Sequence, residues 1–225
     1  MCFSATASFT LFGALVPTGI YLIEWSGRSN SKLLPFAAFP LAFGIQQGFE
    51  GFVWLGIQDG NDAMVSISSR GFLFFSHFFW LVWVPFSVWV IETNLAHKHV
   101  LAVLTAIGFV YGLSIFLPSF LIGDWLTTEP INRSLNYKTT LIYDSFINRT
   151  VLRFFYAAIV FSALFLSTDR RIQIFGALVM ASLVLTYAFF AYALVSVWCF
   201  FAAILSVYLA AIIILDNRRA TKVPG

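Results

Sequence analysis

The sequence predicts an all-α integral membrane protein: a helical bundle of about seven transmembrane helices, N-terminus outside and C-terminus cytoplasmic. Three observations carry this expectation. Of 225 residues, 60% are hydrophobic and only 10% are charged, against about 25% charged in a soluble domain. The mean hydropathy is +0.88. Apolar runs alternate with short polar punctuation along the whole chain. A span needs about 20 apolar residues, so the chain has room for at most roughly seven or eight spans with short loops. Aromatics make up 19%, including 27 Phe; such a surface aggregates in water and is ordinary in lipid.

The apolar runs place spans at about 8–25, 34–57, 70–91, 100–120, 150–167, 172–191 and 194–215 in a single domain, 1–225. Pro35 stands at the start of the second, where its missing N–H costs nothing. Pro17, Pro40, Pro85 and Pro118 lie inside apolar runs, which bundles tolerate when neighbours re-satisfy the freed carbonyls. The last two spans come from one apolar stretch, Ile172 to Leu215. As a single helix it would run about 65 Å, twice the hydrocarbon thickness. It therefore has to turn, and the semi-polar segment around Tyr192 is the place.

Orientation follows from Lys and Arg. Arg28, Lys32, Lys98, Arg170, Arg171, Arg218, Arg219 and Lys222 fall in connections on one side, which is read as cytoplasmic. Arg70, Arg133, Lys138, Arg149 and Arg153 fall on the other, mostly in and beside one long loop, 121–149. That loop is the only connection large enough for structure of its own. Its Asn132-Arg133-Ser134 and Asn148-Arg149-Thr150 triplets match the glycosylation pattern, which acts only in a eukaryotic secretory pathway.

The net charge of +3 is no nucleic-acid footprint, because the charges flank apolar runs as membrane anchors do. Two cysteines, Cys2 and Cys199, exclude a disulfide framework; both fall on the outer half, where one disulfide between them could persist in an oxidising compartment. Residues 1–10 carry no basic segment, so no cleavable signal peptide is expected. Phe3 and Phe9, flanking Ser4, Thr6 and Ser8, suggest that this opening tucks into the bundle.

A charge inside a span costs a few kcal/mol at the bilayer centre, so Glu50 stands out. Gln46, Gln47, Glu50 and Trp54 share one helix face. Two amides, a carboxyl and an indole form a polar seam, serving either as structural glue between helices or as a site. His77, in the third span, is expected at similar depth and within reach of Glu50. A lone membrane histidine is more often hydrogen-bonded than a ligand. Ser196 and Cys199 share a face of the last span. A buried cysteine is ordinarily a small inert hydrophobe; Cys2, if exposed at a trimmed amino terminus, is a nucleophile and chelator.

Together Cys2, Glu50, His77 and Cys199 offer a ligand set for Zn²⁺ or Cu(I) near the outer face, with Glu50 and His77 as candidate catalytic groups. Retinal is excluded because the last helix has no lysine. Two-His haem ligation and hydrolases built on several membrane histidines fail on the single membrane histidine. No nucleotide fingerprint appears.

Four segments carry a resemblance: MCFSATASF (1–9), PFAAFPLAFGIQQGFEGFVWL (35–55), WVPFSVWVIE (83–92) and SVWCFFAAILS (196–206). The chain resembles a bacterial family of uncharacterised multi-pass membrane proteins with the same opening. That resemblance implies a bacterial inner-membrane location and assigns no activity. It places Cys2, Glu50 and Cys199 inside the recognisable segments and leaves His77 outside.

Three readings follow. The first is a metal site, in an enzyme or a metal-handling protein. The second is a binder or transporter of a small or lipidic molecule, with Gln46, Gln47, Glu50, Trp54 and Ser196 at a pocket between helices and Trp80 and Trp198 lining it. The third is a structural membrane subunit. The partner common to all three is the lipid bilayer, and none involves nucleic acid.

Overall fold

The computed structural model describes residues 4–122, 125–131 and 134–220, with side chains as far as residue 215. Helix α1 spans Ala5–Ser29, begun by the Ser4 hydroxyl, which accepts from the Ala7 amide. After a short 3₁₀ turn comes α2, Leu34–Gln58, with Pro35 in its first turn. Gly60, at φ +65°, ends that helix; glycine adopts this left-handed conformation without steric cost. Asn61 caps α3, Asp62–Leu73. A π-helical turn, Phe74–Phe79, joins α3 to α4, Trp80–Ile91. The helix therefore starts well before residue 70, where the apolar run begins, because Asn61 and Asp62 supply its cap.

Helix α5 spans Leu95–Phe116 and a short α6 spans Pro118–Leu121. His97 and His99 lie in the first turns of α5. Then follow α7, Arg149–Leu166, and α8, Arg170–Phe190. A 3₁₀ turn at Ala191–Ala193 leads into α9, Leu194–Ala220. Helix α9 folds back on α8, with the Trp198 indole donating to the Val179 carbonyl at 3.4 Å.

The all-α expectation needs one correction. The long connection, 121–149, holds an antiparallel β-hairpin, β1 Leu126–Ile131 paired with β2 Ser134–Thr139 in the register Leu126↔Thr139 to Ile131↔Ser134. Thr127, Thr128, Tyr137 and Thr139 suit a pleated ladder, and Pro130 is tolerated in a two-stranded sheet whose strands are both edges.

Five helical stretches are long and apolar enough to cross a membrane: Ala5–Ser29, Asp62–Ile91, Leu95–Leu121, Arg149–Leu166 and Arg170–Leu215. The last contains both α8 and α9. Helix α2 falls short of that apolarity because of its polar seam, and packing compensates. It is the central helix, with 15 of its 25 residues buried, so its polar side chains face protein. The outer faces of the bundle carry bare apolar groups, among them Val103, Val110, Phe154, Leu185 and Phe189.

Helices α1 and α2 lie backbone to backbone. A Cβ on Gly19 would sit 2.4 Å from the Leu41 amide nitrogen, so only glycine permits the approach, as at small-residue contacts in membrane bundles. On the far side of the bundle Glu92 ties two connections together. Its Oε1 accepts from the Thr93 and Asn94 amides at 2.8 and 2.9 Å and from the Thr168 hydroxyl at 3.0 Å; its Oε2 accepts from the Thr168 amide at 2.8 Å.

Candidate functional site

The polar seam of α2 is buried in full: Gln46 and Gln47 are 0% exposed and Glu50 is 2% exposed. The structure gives each a partner from a different direction. Gln47 Nε2 donates to Glu50 Oε2 at 3.1 Å, one helical turn away. The Ser196 hydroxyl of α9 donates to Glu50 Oε1. The Trp80 indole of α4 donates to Gln46 Oε1 at 2.9 Å. Cys199, a turn below Ser196, lies beside the Gln46 amide and within electrostatic reach of Glu50. Three helices distant in sequence thus converge on the seam.

The hairpin closes the end of the bundle where α2 meets α3. Tyr137 stacks on Phe72 of α3 with 4.9 Å between ring centroids. Its phenol is pushed well up by burial, and by the neighbouring Glu50 and Cys199 acting in the same direction. Trp125, at the base of β1, and Leu135 of β2 are completely buried. The Thr128 hydroxyl donates to Ser69 of α3 at 2.9 Å. Arg149 grips Asp144 through two bonds of 2.8 and 2.7 Å and donates to the Thr139 carbonyl at 2.6 Å. Asn148 of the second glycosylation triplet caps α7, accepting from the Thr150 amide at 2.8 Å.

Several enclosed polar atoms around the seam have no partner among the described residues: Gln46 Nε2, Gln47 Oε1, the Trp54 indole N–H and the Tyr137 hydroxyl. Each such group costs about 1–3 kcal/mol while unmade, so their concentration around one carboxyl is a feature, since buried polar groups are normally satisfied. Below the seam lies a cavity of about 40 Å³, room for a few waters or a group of a few heavy atoms. Phe39, Phe43, Trp80, Tyr156, Trp198 and Cys199 are among its walls. Trp80 and Cys199 therefore belong to both the seam and the cavity.

His77 is elsewhere. Its Nδ1 bonds the Ser76 hydroxyl at 3.0 Å and its ring meets Trp125 at 6.2 Å. Its backbone lies against Gly112 of α5. Among the described residues Glu50 bonds Gln47 and Ser196 rather than His77, which lies within the π-helical turn Phe74–Phe79. Among the described residues, no three of His, Cys, Asp and Glu come together as a metal set. Cys2 lies outside the described residues, and with it the N-terminal part of the expected site.

The family model of a family of unknown function, DUF6629, matches residues 1–223. The chain belongs to this family. No curated protein and no solved structure matches it. Membership in DUF6629 agrees with the expectation of an uncharacterised family and leaves the chemistry to be argued from the site. The residue that sequence reasoning passed over is Tyr137. Its signal was faint: an aromatic in a loop, at a position that pairs across to Thr128 only once the hairpin is known.

Proposed function

We propose that this chain crosses the membrane seven times, N-terminus outside and C-terminus cytoplasmic, and binds a small molecule or a small lipid headgroup between its helices from the outer side. The bacterial inner membrane is the location that the four-segment resemblance favours. In this orientation the seam lies near the outer face under the hairpin, and Arg28, Lys32, Lys98, Arg170 and Arg171 flank the cytoplasmic ends. Gln46, Gln47, Glu50, Trp54 and Ser196 hold the polar part of the ligand; the cavity holds its apolar part.

The observation that carries this reading is the group of unpartnered polar atoms around Glu50 above a cavity. A ligand that pairs with them recovers what burial has cost, and a site of this kind is mostly apolar with a few convergent polar groups. The test is thermal unfolding of the purified protein in mild detergent against small amines, carboxylates, alcohols and phosphocholine. A binder at about 100 times its dissociation constant adds roughly 2.7 kcal/mol. The expected result is saturable stabilisation by at least one class, lost in Gln47→Leu. Flat curves for every class with a well-folded protein would overturn it.

Glu50 and Cys199 lying close together support a second reading, a metal site. They supply two donors where a structural Zn²⁺ takes four and a catalytic Zn²⁺ three from protein, so the described residues alone do not complete the set; Cys2 is the remaining candidate. Elemental analysis after loading with Zn²⁺ or Cu(I), beside Cys2→Ser and Glu50→Gln, tests it. Near-stoichiometric metal that falls in both variants supports the site; none after loading sinks it.

A further inference from the structure

Glu50 has no basic partner among the described residues, where the ion pairs are Lys138–Glu129, Arg149–Asp144 and Arg171–Asp169. Each of its oxygens accepts one bond, both from neutral donors. An ionised carboxylate offers about four acceptor positions, so positions remain open on Glu50. Two more oxygens close by, Gln47 Oε1 and the Tyr137 hydroxyl, are enclosed without partners. Enclosing a carboxylate without a countercharge is expensive, and the expense is removed by a proton or by a cation.

The cavity below favours the cation. Half of its wall is aromatic, with Phe43 and Trp80 stacked at 3.9 Å between centroids and Tyr156 and Trp198 edge-on at 6.0 Å; Val84, Val160, Leu164, Val179 and Ala202 supply most of the rest. Aromatic rings attract ammonium groups, the more so when water is excluded. The aromatic rings nearest the seam, Trp80 and Phe43, suit the charged head beside a lone carboxyl, and the aliphatic remainder of the wall suits a short alkyl part.

We infer that the site takes a small alkylammonium cation, its N–H groups donated to Glu50 and to Gln47 Oε1 and its alkyl part in the cavity. The cavity volume limits that part to a few heavy atoms. Potassium and sodium lack both the N–H donors and the alkyl surface. The inference rests on the ligand-binding reading above and narrows it to one chemical class.

The test is a tryptophan-fluorescence titration of the full chain in mild detergent with methylammonium, ethylammonium and tetramethylammonium chlorides. Potassium chloride controls for ionic strength, and acetamide and ethanol are the neutral probes. Methylammonium or ethylammonium should give a saturable change, at least tenfold weaker in Glu50→Gln. Gly13→Ala, whose added methyl meets nothing within 4 Å, should stay within a few-fold of wild type. Circular dichroism and gel filtration show that each variant is folded. Binding of neutral probes without binding of ammonium ions overturns the cation assignment and leaves the ligand reading standing. Undiminished ammonium binding in folded Glu50→Gln overturns the role of Glu50. No saturable binding by any probe overturns both readings.

Discussion

The Ser196 hydroxyl of α9 donates to the Glu50 carboxylate of α2 across 146 residues of sequence, inside a fully enclosed part of the bundle. Removing the hydroxyl leaves Glu50 Oε1 without a partner where water cannot reach it. Ser196→Ala should destabilise the protein by about 1–3 kcal/mol. Glu50→Gln keeps the shape and allows Gln47 and Ser196 to re-pair, so it should cost less than about 1 kcal/mol. Unfolding in detergent by a graded denaturing surfactant measures both. A smaller loss for Ser196→Ala than for Glu50→Gln would contradict this geometry.

The hairpin covers the seam through Trp125 and Tyr137. Truncating a fully buried tryptophan costs about 3–5 kcal/mol, and here that loss falls on the segment shielding Cys199. In a Cys2→Ser background, Trp125→Ala should make Cys199 react with a maleimide many times faster than in the parent. Tyr137→Phe, which keeps the ring on Phe72 and removes only an unpartnered hydroxyl, should leave labelling unchanged. Mass spectrometry of the labelled protein reads both rates.

Glu92 gives a pH dependence with a defined sign. Burial alone would raise its carboxyl, but the amides of Asn94, Thr168 and Thr93 and the Thr168 hydroxyl outweigh burial and hold it below the ordinary carboxylate range. A group whose pKa is depressed by folding contributes stability in full above its unfolded value and loses it as pH falls through the folded one. Asp144 and Asp169 are depressed by their bonds to Arg149 and Arg171 and act in the same sense. Glu92→Gln should therefore show a shallower fall in melting temperature between neutral and acid pH than wild type. The difference between the two curves isolates Glu92, and parallel curves would remove it as a contributor.

Gly19 and Gly13 on the same helix make a matched pair. A side chain at Gly19 meets the Leu41 backbone, whereas a Cβ at Gly13 meets nothing within 4 Å. Gly19→Leu should force α1 and α2 apart and lower expression of folded protein sharply. Gly13→Ala should be neutral or stabilising by up to about 1 kcal/mol, from helix propensity alone. Fluorescence-detected gel filtration of both variants is sufficient to tell them apart.

Much of the helical layout was legible in the sequence because lipid imposes a length and an apolarity on each crossing. Tyr192 marks the break between α8 and α9 since no single helix of that length fits, and the chain turns at Ala191–Ala193. Glu50 was legible as an anomaly because a carboxyl in an apolar run has to be explained. The hairpin was not legible: its strands are short and polar, and their pairing gains stability only where Trp125 and Leu135 find a bundle to bury in. Depth alone puts His77 beside Glu50 in the sequence, and depth does not say which neighbour a side chain meets; the His77 ring lies near Trp125 and its Nδ1 bonds Ser76.

By itself, then, the sequence determined how apolar the chain is, the approximate helices, and the α2 face that carries Gln46, Gln47, Glu50 and Trp54, since all three follow from local composition and periodicity. Only the tertiary structure decided which residues that face meets. Ser196, Cys199, Trp80 and Tyr137 arrive from α9, α4 and β2 through helix packing and strand register. Those are long-range relations, fixed by how apolar surfaces and close backbone approaches fit together rather than by any local pattern.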